Sequence, residues 1–217
     1  MGFVKPCLWA SVCLLFSACS SGMRAGLLTI QQEVLRTHQS VRQTQLQSGY
    51  RYLLIERNGQ EALLVWVSQE AGPMGDTSVW VSADGVIFRL AQGRLVGVSE
   101  PLRNWSLISE VPSPPLKVGA VFPTRFIQTS DMQPGFRLGT VHPTLRRPVQ
   151  PQTQFRAWIE GGEELGWVED IESDTGQPLA WYAINLQGQT IAGRRCITPE
   201  WCYSWQVWPA PSNQVPS

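Results

Sequence analysis

The chain has 217 residues, is 43% hydrophobic and 16% charged, and carries 17 basic and 17 acidic residues for a formal net charge of zero. Apolar content at this level supports one sizeable packed core and excludes a disordered chain. Balanced charge excludes the long-range basic field that nucleic acid or an acidic membrane surface would call for.

Residues 1–18 read as an export signal. Lys5 gives a short positive start, and Leu8 to Phe16 is an apolar stretch of signal-peptide length. It is too short for a membrane span, which needs roughly 20 apolar residues. Ser17-Ala18-Cys19-Ser20 resembles the bacterial lipobox. That resemblance implies cleavage before Cys19 and attachment of diacylglycerol and a palmitate-type acyl chain to the cysteine. Phe16 stands where leucine is usual, and the alternative is an ordinary cleaved signal with an incidental cysteine. Acyl chains contribute about 0.8 kcal/mol per buried CH₂, so several on one residue make a stable anchor. Ser20 in place of aspartate implies sorting to the outer membrane. Residues 19–26 are then a tether.

From Leu27 to Leu46 apolar residues recur at roughly helical spacing among glutamines, which predicts one amphipathic helix ending near Gly49. The pattern then turns to strands. Tyr50 to Arg57 and Glu61 to Gln69 flank Asn58-Gly59, a strong hairpin signal. Ala71 to Asp76 reads as a loop. Thr77 to Ser99 reads as three strands with turns at Asp84-Gly85 and Gln92-Gly93. Glu110 to Val118 is Pro-rich and reads as a crossing loop. Phe122 to Arg147 holds short apolar segments interrupted by prolines, and Arg146 to Gln152 reads as another loop. Strands resume at Phe155 to Ile159, Leu165 to Ile171, Leu179 to Leu186, Gln189 to Cys196 and Tyr203 to Trp208. The expected fold is mainly β, an antiparallel meander-rich sandwich or pseudo-barrel of about ten or eleven strands with one N-terminal helix. It forms a single domain over residues 27–208, and residues 209–217 are a polar, Pro-rich tail.

Export resolves the five cysteines. Cys7 and Cys13 leave with the signal and Cys19 is acylated, so Cys196 and Cys202 remain. In an oxidising compartment a disulfide is the natural fate of such a pair, and Pro199 favours the turn between them. Free thiols are the alternative. Zinc lacks ligands, because the only histidines are His38 and His142. No cofactor or metal is expected.

No motif for a serine nucleophile, a zinc hydrolase or a phosphate loop is present. His38 reads as a solvated helix residue and His142 as a loop residue before Pro143. Carboxylates are dense over residues 160–174, at Glu160, Glu163, Glu164, Glu169, Asp170, Glu172 and Asp174. A pair across a cleft could hydrolyse glycosides, but the plainer reading is a solvated hairpin edge. Ten tryptophans invite a sugar-stacking role as well as core packing. Trp205 and Trp208 are an odd number of residues apart, so a regular strand sends them to opposite faces. One is therefore a candidate glycan or partner contact. Arg94, in a meander strand, reads first as a structural partner for a carboxylate such as Asp84 and second as a partner contact.

Val79 to Trp105, with Trp80, Ser82, Asp84, Gly85 and the run Gly93-Arg94-Leu95-Val96, resembles the group 4 capsule lipoprotein family (GfcB/YjbF type). Tyr50 to Val67 fits that family's first hairpin and Ala180 to Trp201 its closing one. The matching motifs are fold motifs. After Val96 the chain departs, with Gly97-Val98-Ser99-Glu100 where the family has threonine then Gly-Leu. The resemblance implies a non-enzymatic lipoprotein, anchored at the periplasmic face of the outer membrane. It would serve capsule or exopolysaccharide secretion by contacting an outer-membrane β-barrel or the polysaccharide, and no nucleic acid. The alternatives are a periplasmic glycan-modifying enzyme using the acidic segment and a general envelope-stability lipoprotein.

Overall fold

The computed structural model describes residues 41–111, 116, 123–150, 153–159 and 165–209. It contains β1 (Tyr52–Arg57), β2 (Gln60–Gly72), β3 (Gly75–Ser82), β4 (Ile87–Ala91), β5 (Arg94–Glu100) and β6 (Arg103–Val111). There follow β7 (Thr124–Gln133), β8 (Arg137–Pro148), a short helix α1 (Thr153–Trp158), β9 (Gly166–Glu172), β10 (Pro178–Ile184), β11 (Thr190–Thr198) and β12 (Trp201–Trp208). Each strand pairs antiparallel with its sequence neighbours, and β1 pairs with β12 to close a twelve-strand barrel. The mainly-β meander is as expected, in its barrel form and with one or two more strands. Most of the helix expected over residues 27–46 lies outside the described residues. Its final part, Val41–Gln43, is a single 3₁₀ turn. Cys19 and the tail beyond Pro209 also lie outside them. Among the described residues no helix is long and apolar enough to cross a membrane.

Local chemistry accounts for the tight connections. Asn58 and Gly59 both have positive φ, as do Gln92 and Gly93. That geometry twists in step with the flanking strands, and few residues besides Gly and Asn tolerate it. The loop expected over Ala71 to Asp76 is instead a hairpin tip. Ala71 pairs with Asp76 and Gly72 with Gly75, so only Pro73 and Met74 connect the strands.

Two further expectations are corrected, and a stretch the sequence left mostly unassigned is a strand. The strand expected over Phe155 to Ile159 is not formed; Phe155 to Trp158 lie in α1. Phe155, Ala157 and Ile159 alternate as a strand would, but Phe155 and Ile159 are also one helical turn apart, and so short a stretch fits both periods. Arg103 to Val111, which carries no clean alternation, is strand β6. A bulge between Leu107 and Ser109 shifts its parity, turning Glu110 inward and leaving Ile108 half exposed. Finally, the expected loops and broken segments from Phe122 to Gln152 are largely the long hairpin β7–β8. Its inner face is polar, with Gln128, Ser130, Thr144 and Arg146 buried, so hydrophobic alternation could not mark it.

The barrel encloses the main core. Leu53, Ile55, Leu64, Trp80, Phe88, Val98, Trp105, Tyr182, Trp201, Tyr203 and Trp205 form one buried cluster. Barrel width grows with strand number, and eight strands already leave just enough space for side chains to fill. Twelve strands leave more, and the abundance of tryptophan and tyrosine answers that volume. Phe88 meets Tyr203 edge-on at 4.8 Å, and Tyr182 meets Trp205 at 6.5 Å. The β4–β5 tip adds a plug. Trp205 Nε1 donates to the Gly93 carbonyl at 3.0 Å, and a Cβ on Gly93 would lie 2.3 Å from the Thr190 carbonyl oxygen. A smaller cluster lies on the outer wall. There Phe155 and Ile159 of the α1 region cover Trp167, Ala183 and Ala192.

Strand parity orients the molecule. The hairpin turns after β1, β3, β5, β7, β9 and β11 share one end, called here the turn end. The start of β1 and the end of β12 share the other, where Tyr52 pairs with Trp208.

Candidate functional site

Three pairs of like-charged neighbours lie within strands: Arg146-Arg147 on β8, Glu169-Asp170 on β9 and Arg194-Arg195 on β11. Alternation sends one of each pair through the wall. Arg146 pairs in register with Asp170, and Arg147 with Glu169. Inside, Arg146 grips Asp170 side-on, with Nε to Oδ1 at 2.7 Å and NH2 to Oδ2 at 2.8 Å. Outside, Arg147 Nε reaches Glu169 Oε1 at 2.6 Å. The solvated edge expected for the acidic segment is therefore wrong for these two residues, which are 5% and 0% exposed. Glu160, Glu163 and Glu164 lie outside the described residues, and Asp174 is exposed in the β9–β10 turn.

Asp170 belongs to a buried network. Gln128 Nε2 donates to Asp170 Oδ2 and to Glu110 Oε1, each at 3.3 Å. Arg94 is 3% exposed and pairs with Glu110. Its carboxylate is thus Glu110, not Asp84, and its burial removes it as a partner contact. Asp84 instead accepts from the Ser82 hydroxyl, in the turn it was expected to form. Arg146 also lies over Phe126 at 4.9 Å and Tyr182 at 5.6 Å. Burial opposes its charge, but the Asp170 carboxylate outweighs it and holds the guanidinium more firmly protonated than usual. Burial, with Asp170 adding to it, pushes the Tyr182 phenol up to about 12.

Arg195 is the third buried guanidinium of the interior, 4% exposed. Its NH2 donates to Gln128 Oε1 at 2.7 Å, and its plane lies over Trp105 at 4.6 Å. Its Nε and NH1 have no hydrogen-bond partner, and among the described residues no carboxylate pairs with it. Arg94 also leaves its buried Nε without a partner, but its NH1 meets a carboxylate. Of the three fully buried guanidinium groups among the described residues, Arg94 and Arg146 each meet a carboxylate and Arg195 meets none. Each buried donor without a partner costs about 1–3 kcal/mol.

Arg195 borders a cleft of about 70 Å³ at the turn end, together with Trp105, Ser130, Arg137, His142 and Ile197. Arg137, at the start of β8, is exposed. His142 is half-buried within β8 and not in a loop. Its Nε2 is 3.2 Å from Ser130 Oγ, and its Nδ1 is 3.9 Å from Glu172 Oε1. Burial, then the Arg195 charge, lower its pKa, with Glu172 opposing them. Burial and Arg195 thus hold the imidazole toward its neutral form, and the cationic groups lining the cleft are the guanidinium groups of Arg137 and Arg195. Cys196 also borders the cleft and forms the expected disulfide with its register partner Cys202. That bond ties the β11–β12 turn beside Arg195.

The other expected contacts fare as parity dictates. Trp205 is 1% exposed and belongs to the core, so it is no surface contact. It packs so closely on Gly193 that a Cβ there would lie 2.5 Å from its ring. Trp208 is half-buried on the opposite face, under the Arg42 guanidinium at 5.6 Å. Arg42 also binds Glu61, Nε to Oε1 at 2.9 Å, and Trp158 Nε1 donates to the same oxygen at 2.8 Å. Partial burial opposes ionisation of Glu61, but these donors overcome it and lower its pKa. Trp208 is thus part of a joint on the outer wall. Among the described residues no His, Cys, Asp or Glu side chains converge as a metal set. Arg195 was not singled out from the sequence, although two adjacent arginines in a strand were a signal that one faces inward.

No family model matches the chain, and no curated protein matches it in sequence. Among solved structures, the fold is similar to the hypothetical lipoprotein YmcC from Escherichia coli K12. The TM-score is 0.57 at 16% identity, over 87% of this chain and 95% of that one. The barrel is therefore a fold that this chain shares with YmcC.

Proposed function

We propose that this protein is a lipid-anchored lipoprotein at the periplasmic face of the outer membrane. It takes part in capsule or exopolysaccharide secretion by binding the polymer or a barrel partner, without catalysis. The observation that carries the reading is the turn-end cleft. It joins unpaired guanidinium donors to aromatic and aliphatic walls, a combination that suits a polar, ring-built ligand. The lipobox-like segment ending at Cys19 and the capsule-family resemblance support the anchor and the pathway. The described similar structure is itself named a lipoprotein. The glycan-modifying alternative loses support, because Glu169 and Asp170 are engaged in ion pairs on opposite faces of the wall.

Deletion of the gene, followed by measurement of exported polysaccharide, tests the role. Loss of export, restored by the wild-type gene and not by Cys19→Ala, supports it. Unchanged export refutes it in favour of a general envelope role. Glu163→Gln with Glu164→Gln separates binding from hydrolysis, since these changes leave Glu169 and Asp170 in place. Export at the wild-type level is expected from that double variant.

A further inference from the structure

We propose that the turn-end cleft is a binding site for the carboxylate of an acidic sugar, a uronate residue of a polysaccharide, with Arg195 as its anchor. The proposal rests on the polysaccharide reading above and names the ligand class that reading leaves open.

Charge is the first argument. Arg94 and Arg146 each meet a carboxylate, while Arg195 meets only the neutral amide of Gln128. Arg195 thus has no ion-pair partner among the described residues, and it borders the cleft. A monoanion bound there supplies the counter-charge that Arg195 lacks. Glu172 near His142 disfavours a dianion in the same space.

Donor supply is the second. Nε and NH1 of Arg195 are buried and uncommitted. Ser130 and His142, hydrogen-bonded to each other, line the same cleft, and the exposed Arg137 lies at the rim. Arginine donors on a carboxylate give short, charge-assisted hydrogen bonds.

Size is the third. A volume of about 70 Å³ is well below the ~300 Å³ and upward of pockets that enclose a whole small molecule. The cleft therefore takes a charged tip, leaving the rest of a sugar ring against Ile197 and the rim. Polymers are bound in this way, one substituent at a time along an open edge.

Position is the fourth. The cleft opens at the turn end, opposite the start of β1 and the end of β12. The disulfide and the Trp105 ring fix Arg195 in place, so the donors are ordered before a ligand arrives.

The test is isothermal titration calorimetry on the full-length protein in detergent at low salt. The probes are tetragalacturonate, the neutral cellotetraose and inorganic phosphate. Saturable binding of tetragalacturonate is expected, with no binding of cellotetraose. Arg195→Gln and, separately, Arg137→Ala should each weaken binding about tenfold or more. Arg137 is solvent-exposed, so its variant tests the site even if Arg195→Gln misfolds. Unchanged affinity in the Arg137 variant, or in a folded Arg195 variant, overturns the proposal. So does tetragalacturonate failing to bind, or phosphate binding as tightly as the uronide. The two readings fail separately. A deletion strain that exports normally while tetragalacturonate still binds refutes the secretion role and leaves the site. A strain that needs the gene, paired with a protein indifferent to uronides, refutes the site and leaves the role.

Discussion

Arg146 and Arg195 are both buried inside the same barrel, and they illustrate two uses of a buried guanidinium. Arg146 has a two-point carboxylate partner and two aromatic faces around it. Arg195 has an aromatic face, one amide and donors left over. The first arrangement satisfies a charge and locks β8 to β9. The second holds a charge in readiness, which makes sense only where something else can arrive, and Arg195 is the one that borders a cleft. The contrast separates a structural ion pair from a binding residue without appeal to residue type.

The comparison can be broken or sharpened by mutation. Asp170→Asn should have the largest effect. It leaves Arg146, which is 0% exposed, without its counter-charge, and losing one partner of a buried pair costs about 3–5 kcal/mol. Urea denaturation should show the midpoint falling steeply. Replacing both Cys196 and Cys202 by serine should cost about 2 kcal/mol, the modest value of a short closed loop, and the same measurement under oxidising conditions reads it. It should also loosen uronide binding, because the disulfide adjoins Arg195.

A smaller effect comes from pH. The His142 pKa is lowered in the fold by burial and Arg195, against Glu172. The unfolded chain therefore takes up the proton first as pH falls. Its contribution to stability is present above about 6.5 and is lost as pH drops from there toward the lowered folded-state value. The His142→Gln variant should show a flatter stability profile across that window. The smallest effect is expected from Arg195→Met. Removing an unpaired buried charge should leave stability within about 1 kcal/mol of the wild type or raise it. A loss as large as that of Asp170→Asn would erase the distinction between the two arginines.

Much of the barrel was legible before the structure was known, for reasons visible in particular residues. Asn58-Gly59 and Gln92-Gly93 announce their hairpins because few other pairs tolerate two positive φ values in succession. The cysteine pairing followed from the expected export and a proline between the two residues. The hairpin β7–β8 was obscured because its inward residues, such as Gln128 and Arg146, are polar, and alternation scores assume an apolar interior. Strand β6 was obscured by a bulge that changes its parity midway. The site was illegible for a related reason. Parity tells that one of Arg194 and Arg195 points inward, but only the three-dimensional fold reveals which carboxylates Arg94 and Arg146 have already claimed. Likewise, Trp205 and Trp208 were correctly placed on opposite faces, while the choice between them required the register of β12.

Closure of β1 on β12 has a consequence for anything that docks here. A sheet with free borders can recruit an extended peptide by main-chain hydrogen bonding, almost regardless of its sequence. The pairing runs unbroken around this barrel, so its strands offer no such border for extension. Recognition by the barrel must be written in side chains, which makes its partners sensitive to single substitutions at the surface.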